Sequence, residues 1–214
     1  MIPRRLVLAT GNAGKVRELT ELVQAWGAGV EVETLASFPG ATLPDETGST
    51  YEETARLKAA AAAAAAGLPA LADDSGLEVD ALGGAPGLHS ARYGPDDARR
   101  VAGLLAALRG RPAAERGARF RCVMVLAWPD GRHVAAEGVA EGRIDDAPSG
   151  AGGFGYDPIF RSHDLGRTFA EAGPADKARV SHRARAMAAL GGLLRGPIGG
   201  PVPLPARRAK VERQ

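Results

Sequence analysis

Several short segments carry side chains whose types and spacing can do chemistry. The first is Thr10-Gly11-Asn12-Ala13-Gly14-Lys15, standing where an apolar run gives way to a helical pattern. Amide N–H groups at a helix start are unpaired and lie at the positive end of the dipole, so an anion is held well there. The two glycines permit close backbone approach to a phosphate, and Lys15 adds a full positive charge. The spacing is not the GxxxxGK[ST] of a Walker A loop. The same residues serve equally as a tight turn in which Asn12 caps the helix.

Asp73-Asp74-Ser75-Gly76 closes a short apolar run, at the kind of position where ligands of open α/β sheets gather. Adjacent carboxylates in extended chain point in different directions, so one can hold a divalent cation while the other orients or deprotonates water. Magnesium suits such a pair, since it takes few carboxylates and completes its octahedron with water and phosphate oxygens. An Asx turn with Ser75 as a local cap is the plainer reading. Asp45 and Glu46 form a second acidic cluster on a loop, either ligands or merely solvated charges.

Gly152-Gly153-Phe154-Gly155-Tyr156-Asp157-Pro158 sets aromatics among residues with little bulk. Clear ring faces suit a nucleobase, whose stacking on an aromatic side chain is worth ~1–3 kcal/mol. The alternative is a flexible loop whose Phe154 enters the core. Lys177, Ser181, His182 and Arg183 cluster at the start of the last helix, where cations oppose the dipole. They want an anionic or acceptor-rich partner, or they form a solvated basic face. His89, His133 and His163 read as loop or surface residues, and Cys122 as inert core.

The elements that must position these groups follow from periodicity. Arg5–Thr10 reads as a buried strand, residues 16–26 as a helix and Val30–Leu35 as a half-buried strand. A helix is expected from Thr50 to Ala66, driven by eight consecutive alanines. Pro69–Ala72 should be a short buried strand, followed by a loop-like stretch from Leu77 to Gly94 and a helix from Asp96 to Arg109. Pro129-Asp130-Gly131 joins two strands, Arg119–Trp128 and Arg132–Arg143, as a hairpin. A short strand Tyr156–Phe160 and a last helix Ser181–Leu194 complete the pattern, which predicts a mixed sheet in an α/β fold.

Composition narrows the function classes. The 214 residues are 45% hydrophobic and 24% charged, which excludes global disorder, collagen and coiled coil. One cysteine provides no disulfide framework and points to a reducing compartment. The histidines lack zinc-site spacing. The formal charge of +2 is uneven: residues 196–214 hold a net +3, leaving about −1 for residues 1–195. That is not the footprint of a nucleic-acid binder. The Pro/Gly-rich stretch 196–214 reads as a disordered extension of a single domain, 1–195. No run approaches the ~20 apolar residues of a membrane span, and the N-terminal apolar run is too short for a signal peptide, so the expected location is cytoplasmic.

Taken together, LVLATGNAGKVREL (Leu6–Leu19), LADDSGLEVDALGGAPGLHSARY (Leu71–Tyr93), GGFGYDPIF (Gly152–Phe160) and the Lys177, Ser181-His182-Arg183 group resemble one family closely. This is the family of inosine/xanthosine triphosphate pyrophosphatases, and the resemblance runs from Leu6 to about Leu194. It implies an elongated α/β fold with a mixed sheet, two lobes and a central nucleotide-binding cleft, usually as a homodimer. It implies magnesium-dependent hydrolysis of ITP, dITP and XTP to the monophosphate and pyrophosphate. Mapped by resemblance, Thr10, Gly11, Asn12, Ala13, Gly14 and Lys15 bind phosphate. Asp74 becomes the general base and also sees the metal, with Asp73 beside it and Asp45 or Glu46 as the loop ligand. Ser75, Phe154, Gly155, Tyr156, Asp157, Lys177, His182 and Arg183 become substrate contacts. Thr54 departs from the family's asparagine, and the basic stretch beyond Gly196 has no counterpart in it.

The charges suggest how such a site works. A triphosphate carries about four negative charges near neutrality, so hydrolysis needs electrostatic cover more than covalent chemistry. Hypoxanthine and xanthine present a keto oxygen at C6 where adenine presents an amino group, and Arg183 can only donate. That rule admits GTP as well, so a further constraint at the 2-amino position is required. Two other readings compete: a Maf-like nucleotide pyrophosphatase with another base preference, and a non-catalytic purine-nucleotide-binding module.

Overall fold

The computed structural model describes residues 2–26 and 29–196. Of the stretch 196–214 expected to be disordered, all but Gly196 lies outside the described residues. Strand β1 (Arg5–Leu8) runs into helix α1 (Ala13–Trp26), and β2 (Glu31–Thr34) returns parallel to β1. Helix α2 (Tyr51–Ala66) leads to β3 (Ala70–Val79), helix α3 (Asp97–Ala107) and the hairpin of β4 (Gly117–Ala127) and β5 (His133–Ile144). Strand β6 (Phe160–Ser162), helix α4 (Pro174–Val180) and helix α5 (His182–Arg195) finish the chain. The strands form one mixed sheet, ordered β2-β1-β3-β4-β5-β6, parallel from β2 to β3 and antiparallel from there on.

Strand alternation divides the core and creates the cleft. On one face Leu6, Leu8, Leu71, Met124 and Leu126 meet α1 and α5 through Leu19, Met187 and Leu190. On the other face Val7, Ala70, Ala72, Val123 and Val125 meet α2 through Ala55, Ala59, Ala62 and Ala63. Those alanines fall at i, i+4, i+7 and i+8, and their small side chains let the helix lie close on the sheet. A further cluster, with Leu77, Val79, Leu104, Phe120, Phe160 and Phe169, gathers at the far ends of β3–β5. Leu71 and Leu77 share a sheet face but belong to different clusters, and Asp73 and Ser75 lie between them. That polar gap separates the two lobes.

The structure corrects two expectations. The strand predicted over Pro69–Ala72 does not stop at the aspartates, because β3 continues to Val79 and pairs with β4 from Ala70 to Val79. A long antiparallel partner supplies the hydrogen bonds that the glycine content of Leu77–Gly94 seemed to forbid. Residues Asp73 and Asp74 are therefore strand residues, not an Asx turn. Since β1 reaches only Ala70 and Leu71, the pair sits just beyond the carboxyl end of β1, level with the Thr10–Lys15 turn. The strand predicted over Tyr156–Phe160 begins only at Phe160. Before it the chain makes turns, Asp157 N–H to Phe154 O and Ile159 N–H to Tyr156 O, while Pro158 offers no donor to a ladder. Helix α4 was not foreseen. Among the described residues no helix is long and apolar enough to cross a membrane.

Helix α5, which carries His182 and Arg183, touches β5 at Gly138. A β-carbon there would collide with Ala186 N and His182 O, so only glycine permits the approach. We expect Gly138→Ala to destabilise the protein by about 1–3 kcal/mol, read as a lower urea midpoint. An unchanged midpoint would mean that α5 can shift at no cost.

Candidate active site

Alternation along β3 sends the two aspartates to opposite faces, and the surroundings drive them apart electrostatically. The Asp73 side chain is fully buried. Its Oδ2 meets Lys15 Nζ at 3.1 Å and Arg183 Nε at 3.1 Å, and accepts from Ser75 Oγ at 3.2 Å. Burial alone would raise this carboxyl, but Lys15, Arg183 and Lys58 outweigh it and hold it well below the usual range. The Asp74 carboxylate looks toward α2, where its Oδ1 lies 3.4 Å from Lys58 Nζ. Here burial dominates, helped by Glu46 and Asp73, and the carboxyl is pushed up despite Lys58 and Lys15.

The cations extend into a network. Arg183 gives Nη1 to Glu18 Oε2 at 3.1 Å and Nη2 to Ser75 Oγ at 2.8 Å. Lys177 Nζ donates to Glu18 Oε1 at 2.6 Å and to Asp157 Oδ2 at 2.5 Å. Asp157 Oδ2 in turn accepts the Phe154 N–H at 2.9 Å. The Phe154 ring lies under both cations, with Lys177 Nζ 5.0 Å and Arg183 Cζ 5.4 Å from its centroid. Lys177 and Arg183 are therefore buried structural cations rather than a solvated basic face.

The capping reading of the first segment is seen directly. Asn12 Oδ1 accepts the Lys15 N–H at 3.1 Å as a cap, and Thr10 Oγ1 accepts the Asn12 N–H at 3.2 Å. Ala13 and Gly14 stand at the first two helical positions, and their amides have no hydrogen-bond partner among the described residues, as the start of a helix leaves them. The glycines differ in purpose. A β-carbon at Gly11 would meet open space, whereas one at Gly14 would press on the Phe154 ring, 2.8 Å from Cδ1. Gly14 thus serves the aromatic loop as much as any phosphate.

One pocket collects Asn12, Lys15, Ser75, Phe154, Gly155, Tyr156, Asp157, His182 and Arg183. Tyr156 and Asp157 are buried in its wall, the tyrosine hydroxyl donating to Ser90 O at 3.0 Å. His182 stacks on Phe120 with centroids 4.7 Å apart and planes at 12°, and neither ring nitrogen has a partner among the described residues. Burial, with Arg183 and Lys177 nearby, holds this imidazole neutral at ordinary pH. It therefore keeps one donor and one acceptor.

Of the loop acids, Glu46 is the one whose carboxylate meets Lys58, at 3.3 Å, while Arg92 Nη1 holds its other oxygen at 2.9 Å. Asp45 is exposed, and its backbone oxygen accepts the Thr47 N–H at 2.8 Å. Glu18, Lys58 and Arg92 escaped the sequence reading. Lys58 left a signal: with Tyr51, Thr54, Ala55 and Ala62 it falls on the buried stripe of α2, where a lysine needs anions. Glu18 left another, since it stands three residues after Lys15 on the same helix.

Asp73 bridges α1, β3 and α5, so Asp73→Asn should destabilise the protein at pH 7 by about 3 kcal/mol, because buried cations lose their counterion. A depressed carboxyl stabilises fully above its unfolded value, ~3.9, and progressively less as pH falls below it. The gap between wild type and variant in urea unfolding should therefore close on acidification below about pH 4. A gap independent of pH would assign the loss to packing instead.

Comparison with known proteins gives one consistent answer. Residues 6–192 match the model of the Ham1 family. A protein of Thermus thermophilus named dITP/XTP pyrophosphatase is 55% identical over 188 residues, covering 87% of this chain and 89% of the relative. One of the same name from Methylococcus capsulatus is 51% identical over 202 residues, covering 92% and 99%. Among solved structures, a HAM1 protein from Coxiella burnetii superimposes with a TM-score of 0.78 at 40% identity, covering 89% of this chain and 98% of that one. A nucleoside-triphosphatase / dITP/XTP pyrophosphatase from Mycobacterium abscessus gives 0.70 at 42% identity, covering 89% and 100%. Family model, sequence identity and superposition agree at near-complete coverage, and the chain belongs to the Ham1 family.

Proposed function

We propose that this chain hydrolyses the non-standard purine nucleoside triphosphates ITP, dITP and XTP to the monophosphate and pyrophosphate. The carrying observation is the divergence of neighbouring carboxyls, Asp73 held ionised among cations and Asp74 raised on the opposite face. Pairs pushed apart in this way mark acid–base assignments. Asp74 is then the base that orients or deprotonates a water for attack near the α-phosphorus, and Asp73 is the anchor that fixes Lys15 and Arg183. The free amides of Ala13 and Gly14, with Lys15, take the phosphates. The substrate class comes from the names that relatives at about 50% identity carry.

Magnesium fits the residues present. Glu46 and Asp74 already share one cation, the Lys58 ammonium, so their carboxylates can serve a common positive charge. Among the described residues no three His, Cys, Asp or Glu side chains converge as a metal cage. A pair of carboxylates with water and phosphate oxygens is how magnesium is usually held. When bound, the ion neutralises phosphate charge. Phe154 offers a stacking face, and Arg183, with three of its N–H groups already bonded, keeps two for a 6-keto oxygen. We also infer a cytoplasmic homodimer on the family resemblance, to be checked by light scattering in solution.

An assay of pyrophosphate release across ITP, XTP, dITP, GTP and ATP, with and without magnesium, tests the reading directly. Asp74→Asn should lower kcat on ITP by about 10²–10⁴. Near-full activity in a folded variant would remove Asp74 from the mechanism. Glu46→Gln should raise the magnesium concentration needed for half-maximal rate, whereas Asp45→Asn should not.

A further inference from the structure

A second arginine reaches the pocket of Phe154 and Arg183. Arg100 stands in the first turn of α3, the helix that Val101 and Leu104 anchor in the far apolar cluster. Its Nε donates to Gly94 O at 3.0 Å and its Nη1 to Asp97 Oδ1 at 2.6 Å. The other oxygen of Asp97 accepts the Gly155 N–H at 2.7 Å, so arginine and aromatic loop are fixed to one another. These bonds orient the guanidinium plane yet leave Nη2 with no partner among the described residues, both its N–H groups unspent. The neighbouring cations are held by carboxylates within the site: Lys15 by Asp73, Lys177 by Glu18 and Asp157, and Arg183 by Asp73 and Glu18, with Ser75.

We propose that Arg100 reads the 2-position of the purine and thereby separates xanthine from guanine. This rests on the reading of the pocket as a purine triphosphate site. The C6 and C2 substituents flank N1 on one edge of the ring, so Arg183 from α5 and Arg100 from α3 can each take one. Xanthine carries a keto oxygen at C2, hypoxanthine a hydrogen and guanine an amino group. A guanidinium only donates, so the keto oxygen accepts from it, the hydrogen is indifferent, and the amino group sets donor against donor. Xanthine nucleosides also lose a proton near neutrality, and a fixed cation suits the resulting charge. The bonds to Gly94 and Asp97 hold the guanidinium in place before the base arrives, which limits the ordering cost on binding.

The test is kcat/KM for XTP, ITP and GTP in wild type, Arg100→Ala and Arg100→Gln, with XMP, IMP and GMP affinities by calorimetry. XTP should lose about 10- to 100-fold, the worth of a hydrogen bond to a charged group, with ITP within about threefold. GTP should hold or improve, so the preference for XTP over GTP narrows, and XMP affinity should fall more than IMP affinity. An equal loss on all three nucleotides would assign Arg100 to the phosphates or to loop position and overturn the proposal. So would no change on any of them. If wild type cleaves neither XTP nor ITP, the pyrophosphatase reading falls, and the monophosphate affinities still decide the role of Arg100.

Discussion

The fully buried carboxylate of Asp73 is the charge around which the site is organised. An isolated anion there would cost several kcal/mol, so it survives only because Lys15, Arg183 and Ser75 surround one of its oxygens. Those partners arrive from α1, α5 and β3 itself, and no local segment could assemble them. The requirement of one buried charge thus fixes the relative placement of three elements. Through Glu18, Lys177 and Asp157 the same alternation of charges continues to the backbone of Phe154. Anchor and aromatic loop are ends of one network.

That network is close to neutral. Lys15, Arg183 and Lys177 face Asp73, Glu18 and Asp157, and on the other face Lys58 and Arg92 face Glu46 and Asp74. Every one of these cations already has an anion. A polyphosphate with about four negative charges therefore finds directed donors here but little surplus positive charge. Under the proposed function the balance must come from an added cation, and Glu46 with Asp74 is where the protein can offer it oxygen ligands. Loading that pair would free Lys58 and Arg92 from their present partners, which makes both available to phosphate oxygens.

The sequence made the site's composition legible but not its wiring. Type and order singled out Thr10–Lys15, Asp73–Ser75, Phe154–Asp157 and His182-Arg183, and the fold brings members of all four to one pocket. The divergence of Asp73 and Asp74 was also readable, since it needs only extended chain. What failed was whatever depended on a distant partner. The continuation of β3 to Val79 depends on pairing with β4, whose Ala118 partner lies 39 residues further along the chain. Glu18 and Lys58 gain their partners only when α5 and β3 are placed against them. Arg100 carried no sequence signal of its own, and the approach of the Gly155 loop to α3 through Asp97 brings it to the pocket.

The contact of Gly14 with Phe154 joins the two halves of the candidate site mechanically. The ring rests on the first turn of α1, two residues from the capping Asn12, while Lys177 and Arg183 lie over it. Under the proposed function, a base stacked on Phe154 would press on the same turn whose amides would face the phosphates. A phosphate that drew those amides forward would move the surface against which the ring is packed. Gly14 has no side chain between ring and turn, so under the proposed function the seats of base and phosphate adjoin one another. In a close-packed interior such shifts are passed on rather than absorbed. Under the proposed function, the spacing between the aromatic ring and the α1 amides would gauge the distance from base to phosphate, which a base alone or phosphates alone would meet at one end only.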